Sequence, residues 1–231
     1  MAHEGVMTLL FVFIGAMVLV GILVAVRQAR KRRERRAALA RWAQQRGWAY
    51  ADEVPGAHDG LRGGPFHKGH SRKTTEGVWG SYDGHQAMSS RYTYLVTTSN
   101  GKTTTTHTYH HHVLSLALPA TLPDLELKPE GVLSGMFGRD TDFEDAAFND
   151  AWNVRGADPR TTSDIIHPLM MRRLMRADLQ GASLLLEGGR IFLWRKGQPE
   201  VSAIDPGLRA LREVVELIPG FVWDNARGRG A

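Results

Sequence analysis

The sequence contains no cysteine, which excludes disulfides, thiolate nucleophiles and Cys-ligated zinc. That absence fits a reducing compartment. Charge is missing as well from Gly5 to Val26, a run of 22 residues. At ~1.5 Å rise per residue it forms about 33 Å of helix, enough to cross a hydrocarbon core roughly 30 Å thick with a modest tilt. A cleaved signal peptide fits less well. Met1-Ala2-His3-Glu4 carries no Lys or Arg, the apolar run is long for an h-region, and arginines stand where a small-residue cleavage site belongs.

Several chemistries lack their signatures. Gly131, Gly135 and Gly138 are not followed by the Gly-Lys-Ser/Thr that cradles phosphates, and no dinucleotide fingerprint occurs. Ser71 follows Gly69-His70 without the second glycine of a nucleophile elbow. Asp140-x-Asp142-x-Glu144 opens like a calcium loop, but Asp145 replaces the required sixth-position glycine and Ala151 the twelfth-position glutamate. These acids read as a solvated loop, or as charges at the start of a helix at Ala146-Ala147-Phe148. The residues assign no catalytic group, cofactor or metal.

What is present is a sharp charge boundary. Arg27, Arg30, Lys31, Arg32, Arg33, Arg35 and Arg36 follow the apolar run, with Glu34 as the single acid among them. Residues 37–231 balance, 22 Lys/Arg against 22 Asp/Glu, so the excess positive charge belongs to one short segment. A nucleic-acid-binding domain would spread its cations over a folded face; a juxtamembrane run instead attracts anionic lipid head groups and sets topology. The positive-inside rule then places the N-terminus outside and the C-terminal domain in the cytoplasm, across the inner membrane. Within the span, Gly21 and Ala25 form a small-xxx-small pair suited to a homodimer.

Beyond the basic run, Leu39, Trp42, Ala43 and Arg46 recur at helical spacing, with Gly47 placed as a left-handed C-cap and Trp48 to pack back. Residues 27–47 are therefore expected to form a helical stalk that lifts the domain about 30 Å from the bilayer. The alternative is a kink that lays Trp42 into the interface. Residues 52–75 are rich in Gly and Pro and read as linker and loop, with one short strand near Phe66.

Strand signals follow. Val78 to Tyr82 meets Asp83-Gly84, a type I′ turn, and returns from His85; a second turn at Asn100-Gly101 folds Arg91–Ser99 onto Lys102–Leu118. A two-residue loop there pairs Tyr94 with His107, Tyr92 with Tyr109 and Ser90 with His111. Tyr92, Tyr94, His107, Tyr109 and His111 then share one face, while Leu95, Thr93, His110, His112, Leu114, Leu116 and Leu118 share the other, the core side. Further strands are expected at Leu125–Lys128 and Phe148–Val154, and a hairpin at 182–195 around Gly188-Gly189. Helices are expected to open at Asp158-Pro159, His167-Pro168 and Asp205-Pro206, the last ending at Pro219.

His107, His110, His111 and His112 crowd into six residues, and imidazoles at strand spacing i, i+2 point the same way and can share a metal. No acid completes the set across the ladder. Structural packing or edge polarity explains such a run at least as well. His67-x-x-His70 lies in a glycine-rich loop, which weakens it as a ligand pair.

Arg41-Trp42-Ala43 with Arg46-Gly47-Trp48, Gly80-Ser81-Tyr82-Asp83-Gly84, Tyr92-x-Tyr94, Leu118-Pro119 with Leu122-Pro123, Phe148-Asn149 leading to Val154, Asp158-Pro159-Arg160 and His167-Pro168 occur in order along the chain. In this order the chain resembles uncharacterised single-pass membrane proteins of high-GC Gram-positive bacteria. The resemblance implies architecture and location, and no chemistry. The histidine cluster and the Thr103–Thr106 run lie outside its pattern.

The reading is α+β: a short external tail (1–4), a transmembrane helix (5–26), a basic stalk (27–47), and a mainly antiparallel β domain with short helices and a C-terminal covering helix (48–223). A disordered tail (224–231) ends it. Its expected role is a membrane-anchored cytosolic binding or scaffolding module for a protein or lipid partner. The competing expectation is a membrane-tethered metal-dependent hydrolase built on His107 to His112. A sensor ranks last, because a four-residue tail is too short to form a domain.

Overall fold

The computed structural model describes residues 2–129 and 143–228, with the side chains of residues 2–12 and 14 outside the description. The first element is a single helix, α1 (Ala2–Gln45), which at ~1.5 Å per residue is about 66 Å long. No proline interrupts it. It ends as the sequence predicts: Gly47 turns left-handed at φ +68°, Trp48 N–H donates to Ala43 O at 2.8 Å and Gly47 N–H to Gln44 O at 3.2 Å. These two bonds are the 6→1 and 5→2 closures of a Schellman motif. Among the described residues no helix is long and apolar enough to cross a membrane, and nine of the 22 residues of the expected span, 5–12 and 14, have side chains outside the description.

Eight antiparallel strands form one sheet: β1 (Ala49–Glu53), β2 (His70–Tyr82), β3 (His85–Ser99), β4 (Thr104–Ala117), β5 (Leu125–Pro129), β6 (Trp152–Gly156), β7 (Ser183–Glu187) and β8 (Arg190–Lys196). Their spatial order is β1-β2-β3-β4-β8-β7-β5-β6. The protein is thus α+β with an antiparallel sheet, as the alternation of turn signals and apolar runs implies. Asp83 and Gly84 adopt φ +47° and +83° between paired Tyr82 and His85, the expected type I′ turn. Gly188 and Gly189 make the β7–β8 turn.

The second hairpin is corrected. Tyr92 pairs with His111 and Tyr94 with Tyr109, because the turn holds four residues, Asn100 to Thr103, instead of two. Asn100 Oδ1 accepts from Lys102 N–H at 3.1 Å and Thr103 N–H at 2.8 Å, so its side chain builds a wider turn than Asn-Gly alone would make. The shift is two residues, so every side chain keeps its expected face.

Helices cover one face of the sheet. They are α2 (Ala146–Ala151), α3 (Pro159–Ile165), α4 (Pro168–Leu174), α5 (Val201–Leu217) and α6 (Gly220–Gly228). Phe148 belongs to α2 and not to a strand: Asp145 caps the turn by accepting from Phe148 N–H at 3.1 Å, and β6 starts only at Trp152. Asp158 and His167 cap α3 and α4 with proline just inside, as expected. α5 begins at Val201, ahead of Asp205-Pro206; a proline in the second turn forfeits one backbone bond while Ile204, Leu208, Leu211 and Val215 bury a continuous face. α6 runs through Gly228 with Val222 and Trp223 buried, so helix occupies residues 224–228 of the expected tail.

The stalk is corrected too. Leu39, Trp42 and Ala43 are buried where α1 packs against β1, β2 and α5, so the second half of the segment is part of the core. Trp42 meets Trp48 edge to face at 5.2 Å, and Trp48 lies on Gly80, where any Cβ would overlap the indole. The stripe read as a spacer is a packing face, because its apolar residues found a sheet to cover.

The expected strand near Phe66 does not form. Residues 54–69 instead fold over the other face of the sheet as a loop that buries Phe66 among Tyr92, Tyr94, Val113, Leu185, Phe192 and Trp194. Glu187 accepts from the Arg62 and Gly63 amides at 2.8 and 2.9 Å, and Tyr92 Oη donates to Phe66 O at 3.0 Å.

Because Trp42 belongs to the domain core, Trp42→Ala in the full chain is expected to destabilise the domain by about 3–5 kcal/mol, read by denaturant unfolding in detergent. A loss under about 1 kcal/mol would mean that the segment is a free stalk.

Candidate functional site

The seven cations after Val26 divide into two groups. Arg27, Arg30, Lys31, Arg32 and Arg33 are exposed on α1, ahead of the point where it docks. Arg30 pairs only with Glu34 one turn on, an exposed i,i+4 contact worth a few tenths of a kcal/mol. These five side chains form a ring of charge around the helix just beyond the apolar run.

Arg35 and Arg36 are engaged in the domain. Arg35 makes a two-pronged pair with Glu76, Nε to Oε2 and Nη2 to Oε1, both at 2.9 Å. Arg36 approaches the same carboxylate at 3.6 Å and Asp52 at 3.3 Å. Arg91 reaches Glu76 from β3 at 3.6 Å, itself fixed by Thr75 at 3.0 Å and Gln198 at 2.9 Å. Glu76 is fully buried, 0% exposed. Burial pushes its carboxyl up, but the Arg35 hydrogen bonds and the charges of Arg91, Arg35 and Arg36 outweigh this and hold it below the usual range. It remains a carboxylate.

Local backbone geometry aims this side chain. β2 breaks register between Thr75 and Val78, and Glu76 takes φ +52°, so a bulge turns the carboxylate toward α1. Sequence reasoning did not single out Glu76, Asp52 or Arg91. The available signal was Glu76-Gly77: a charged residue beside a glycine inside a strand-like run marks a bulge.

The four histidines do not converge. His110 and His112 face the helices, where Thr93 Oγ1 lies 3.0 Å from His110 Nδ1 and Ser89 Oγ 2.8 Å from His112 Nε2. His111 faces the other way and stacks on Tyr94 at 5.7 Å, and His107 is exposed toward the hairpin tip. Burial, then the Arg195 charge, pushes His112 down to about 4, and burial, then Lys196, Lys68 and His110, does the same to His111. His70 is held between Ser71 and Thr97, both at 3.1 Å. Among the described residues no three His, Asp or Glu side chains gather as a metal site. Of the acidic run, Asp145 is a helix cap, while Asp140 and Asp142, like Gly131, Gly135 and Gly138, lie outside the described residues.

No protein-family model matches the chain, and no curated protein does. Among solved structures, the fold is similar to that of the mycobacterial trehalose monomycolate transport factor A, TtfA, with a TM-score of 0.58 at 14% identity over 80% of this chain and 95% of that one. At that identity the likeness concerns the fold.

Glu76→Gln keeps the shape and removes the charge, taking the shared carboxylate from Arg35 and Arg91 and leaving Arg36 with Asp52 alone. The expected loss near pH 7 is about 3 kcal/mol. Because the folded carboxyl is depressed, its contribution is complete above the unfolded value of about 4.3 and disappears as pH falls through the folded value. The gap between wild type and variant, from denaturant unfolding at pH 7 down to pH 3, should thus stay constant above about pH 5 and close below about pH 4. A gap independent of pH would show that Glu76 acts by shape alone.

Proposed function

We propose that this chain is a single-pass membrane protein whose cytosolic domain is a binding or scaffolding module held at the bilayer surface. One observation carries the reading: α1 continues unbroken from Ala2 to Gln45, and its last turns are built into the sheet by Glu76. An apolar segment and a domain joined by one rigid helix move as a unit, so the membrane fixes how the domain faces its partners. The five exposed cations lie where anionic head groups would meet them, each worth on the order of 1 kcal/mol near the surface. Gly21 is open, with no atom near the position of a Cβ, and with Ala25 leaves a small-residue face for a second helix.

The fold is shared with a protein named as a trehalose monomycolate transport factor, and a factor-like role agrees with the module reading. The resemblance to single-pass membrane proteins of high-GC Gram-positive bacteria supports the same placement. The histidines, split across the two faces of β4, give the hydrolase alternative no specific support.

A reporter fused after Ala231 is expected to be active only in the cytoplasm, and the full chain to stay in membranes through alkaline extraction. Replacing Arg27, Arg30, Lys31, Arg32 and Arg33 by Gln should send a substantial fraction into the opposite orientation. Cross-linking from the domain surface in native membranes should then yield a reproducible protein or lipid adduct. A reporter active only outside the cytoplasm, or full release by alkali, would overturn the placement.

A further inference from the structure

On the face of the sheet opposite the helices, beside the 54–69 loop, lies a cleft of about 870 Å³. That is within the range of small-molecule sites, roughly 300–1,000 Å³. Its walls are aromatic: Tyr94 and Tyr109 stack at 5.1 Å with their planes 12° apart, and Trp194 closes one side. Tyr109, which lines the cleft, is 36% exposed, whereas Tyr94 behind it is buried.

The charged groups that line it are cations, beside the neutral Gln180 and Ser183. Lys68, Lys128, Arg195 and Lys196 line the cleft; Glu126 pairs with Lys128 at 2.7 Å and its charge also reaches Lys68, while its other oxygen accepts from Gly64 N–H. Lys68 and Lys196 have no ion-pair partner among the described residues, and burial, then the Lys128 charge, holds Lys68 below its ordinary value, with Lys196 acting in the same direction. His111 lines the same cleft at 6% exposed, and neither ring nitrogen has a hydrogen-bond partner. A buried imidazole with both nitrogens unanswered is an uncommon arrangement, because interiors pair nearly all their polar groups. Burial, then Lys196 and Lys68, keeps it neutral at physiological pH, and with both nitrogens beneath the surface the ring serves as backing to Tyr94.

We propose that this cleft binds a ring-bearing phosphate monoester, its ring against the aromatic wall at Tyr109 and Trp194 and its anion between Lys68 and Lys196. Two ammonium groups without an ion pair among the described residues suit a phosphate monoester, and the aromatic wall suits a planar ring. The inference rests on the binding-module reading and names a ligand for it.

The test is calorimetric titration of the full chain in nanodiscs of zwitterionic phospholipid with phenyl phosphate, inorganic phosphate and benzyl alcohol. Phenyl phosphate should bind at one saturable site, at least tenfold tighter than either fragment. Lys68→Ala with Lys196→Ala should weaken it at least tenfold with an unchanged unfolding midpoint. Arg209→Ala, at an exposed position of α5 on the helix side of the sheet, should leave it unchanged. No saturation, equal binding of inorganic phosphate, or an unaltered lysine variant would overturn the proposal. If adducts from membrane cross-linking persist in the lysine variant while the titration fails, the ligand is wrong and the module reading stands; loss of adducts from the wild type removes both.

Discussion

A single buried carboxylate joins the two parts of this molecule. Glu76 comes from a bulge in β2, and the groups around it come from separate elements: Arg35 and Arg36 from α1, Arg91 from β3. An ion pair out of water loses hydration that its Coulomb attraction barely restores, and a well-packed apolar contact would serve stability as well. What the charges add is choice among docking positions. Leu39, Trp42 and Ala43 give α1 an apolar stripe, but such a stripe tolerates rotation and sliding by a turn; a two-pronged guanidinium–carboxylate contact does not. Arg46 with Asp205 of α5 adds a second, more exposed point at the far end of the docked segment. Two charged contacts along one helix fix its direction as well as its position.

The basic run accordingly does two jobs with one residue type. Arg27 to Arg33 remain in solvent, while Arg35 and Arg36 lose much of theirs to Glu76 and Asp52. Composition cannot separate these roles, since the acids that claim the last two arginines sit 16 to 41 residues away in sequence. The distinction matters for orientation. A helix that carried all seven cations into solvent could rock about a flexible stalk, whereas a helix clamped immediately after its fifth cation sets the sheet at a fixed angle to the apolar run.

Local signals were legible and nonlocal ones were not. Gly47, Asp83-Gly84, Gly188-Gly189, Asp158-Pro159 and His167-Pro168 all mark what they indicate, because a left-handed residue or a helix cap is decided within four or five residues. The Asn100 turn failed in length and kept its faces, since an Asn side chain that accepts from two following amides competes with the tight turn its own dipeptide suggests. The stalk failed for a different reason: an amphipathic stripe announces burial without saying against what. Glu76 was invisible because its meaning depends on three arginines from two other elements.

The Gly- and Pro-rich passage at 54–69 shows how weak order in sequence becomes fixed order in space. Apolar side chains are scarce there, so it cannot cover a sheet by hydrophobic burial alone. Its backbone is held instead by carboxylates reaching up from the strands, Glu187 to two amides and Glu126 to a third, with Phe66 and the His58 ring stacked on it inserted. A loop pinned at so few points covers a limited area. β3 and β4 extend past it to an exposed Thr-rich tip, and toward that tip Tyr109 and His107 stand exposed. The helix side has no such margin, since α5 and the docked end of α1 close over Leu114, Leu116 and Val78 completely. The asymmetry of the two faces therefore follows from what covers each: helices that pack by area on one, a loop that holds by hydrogen bonds on the other.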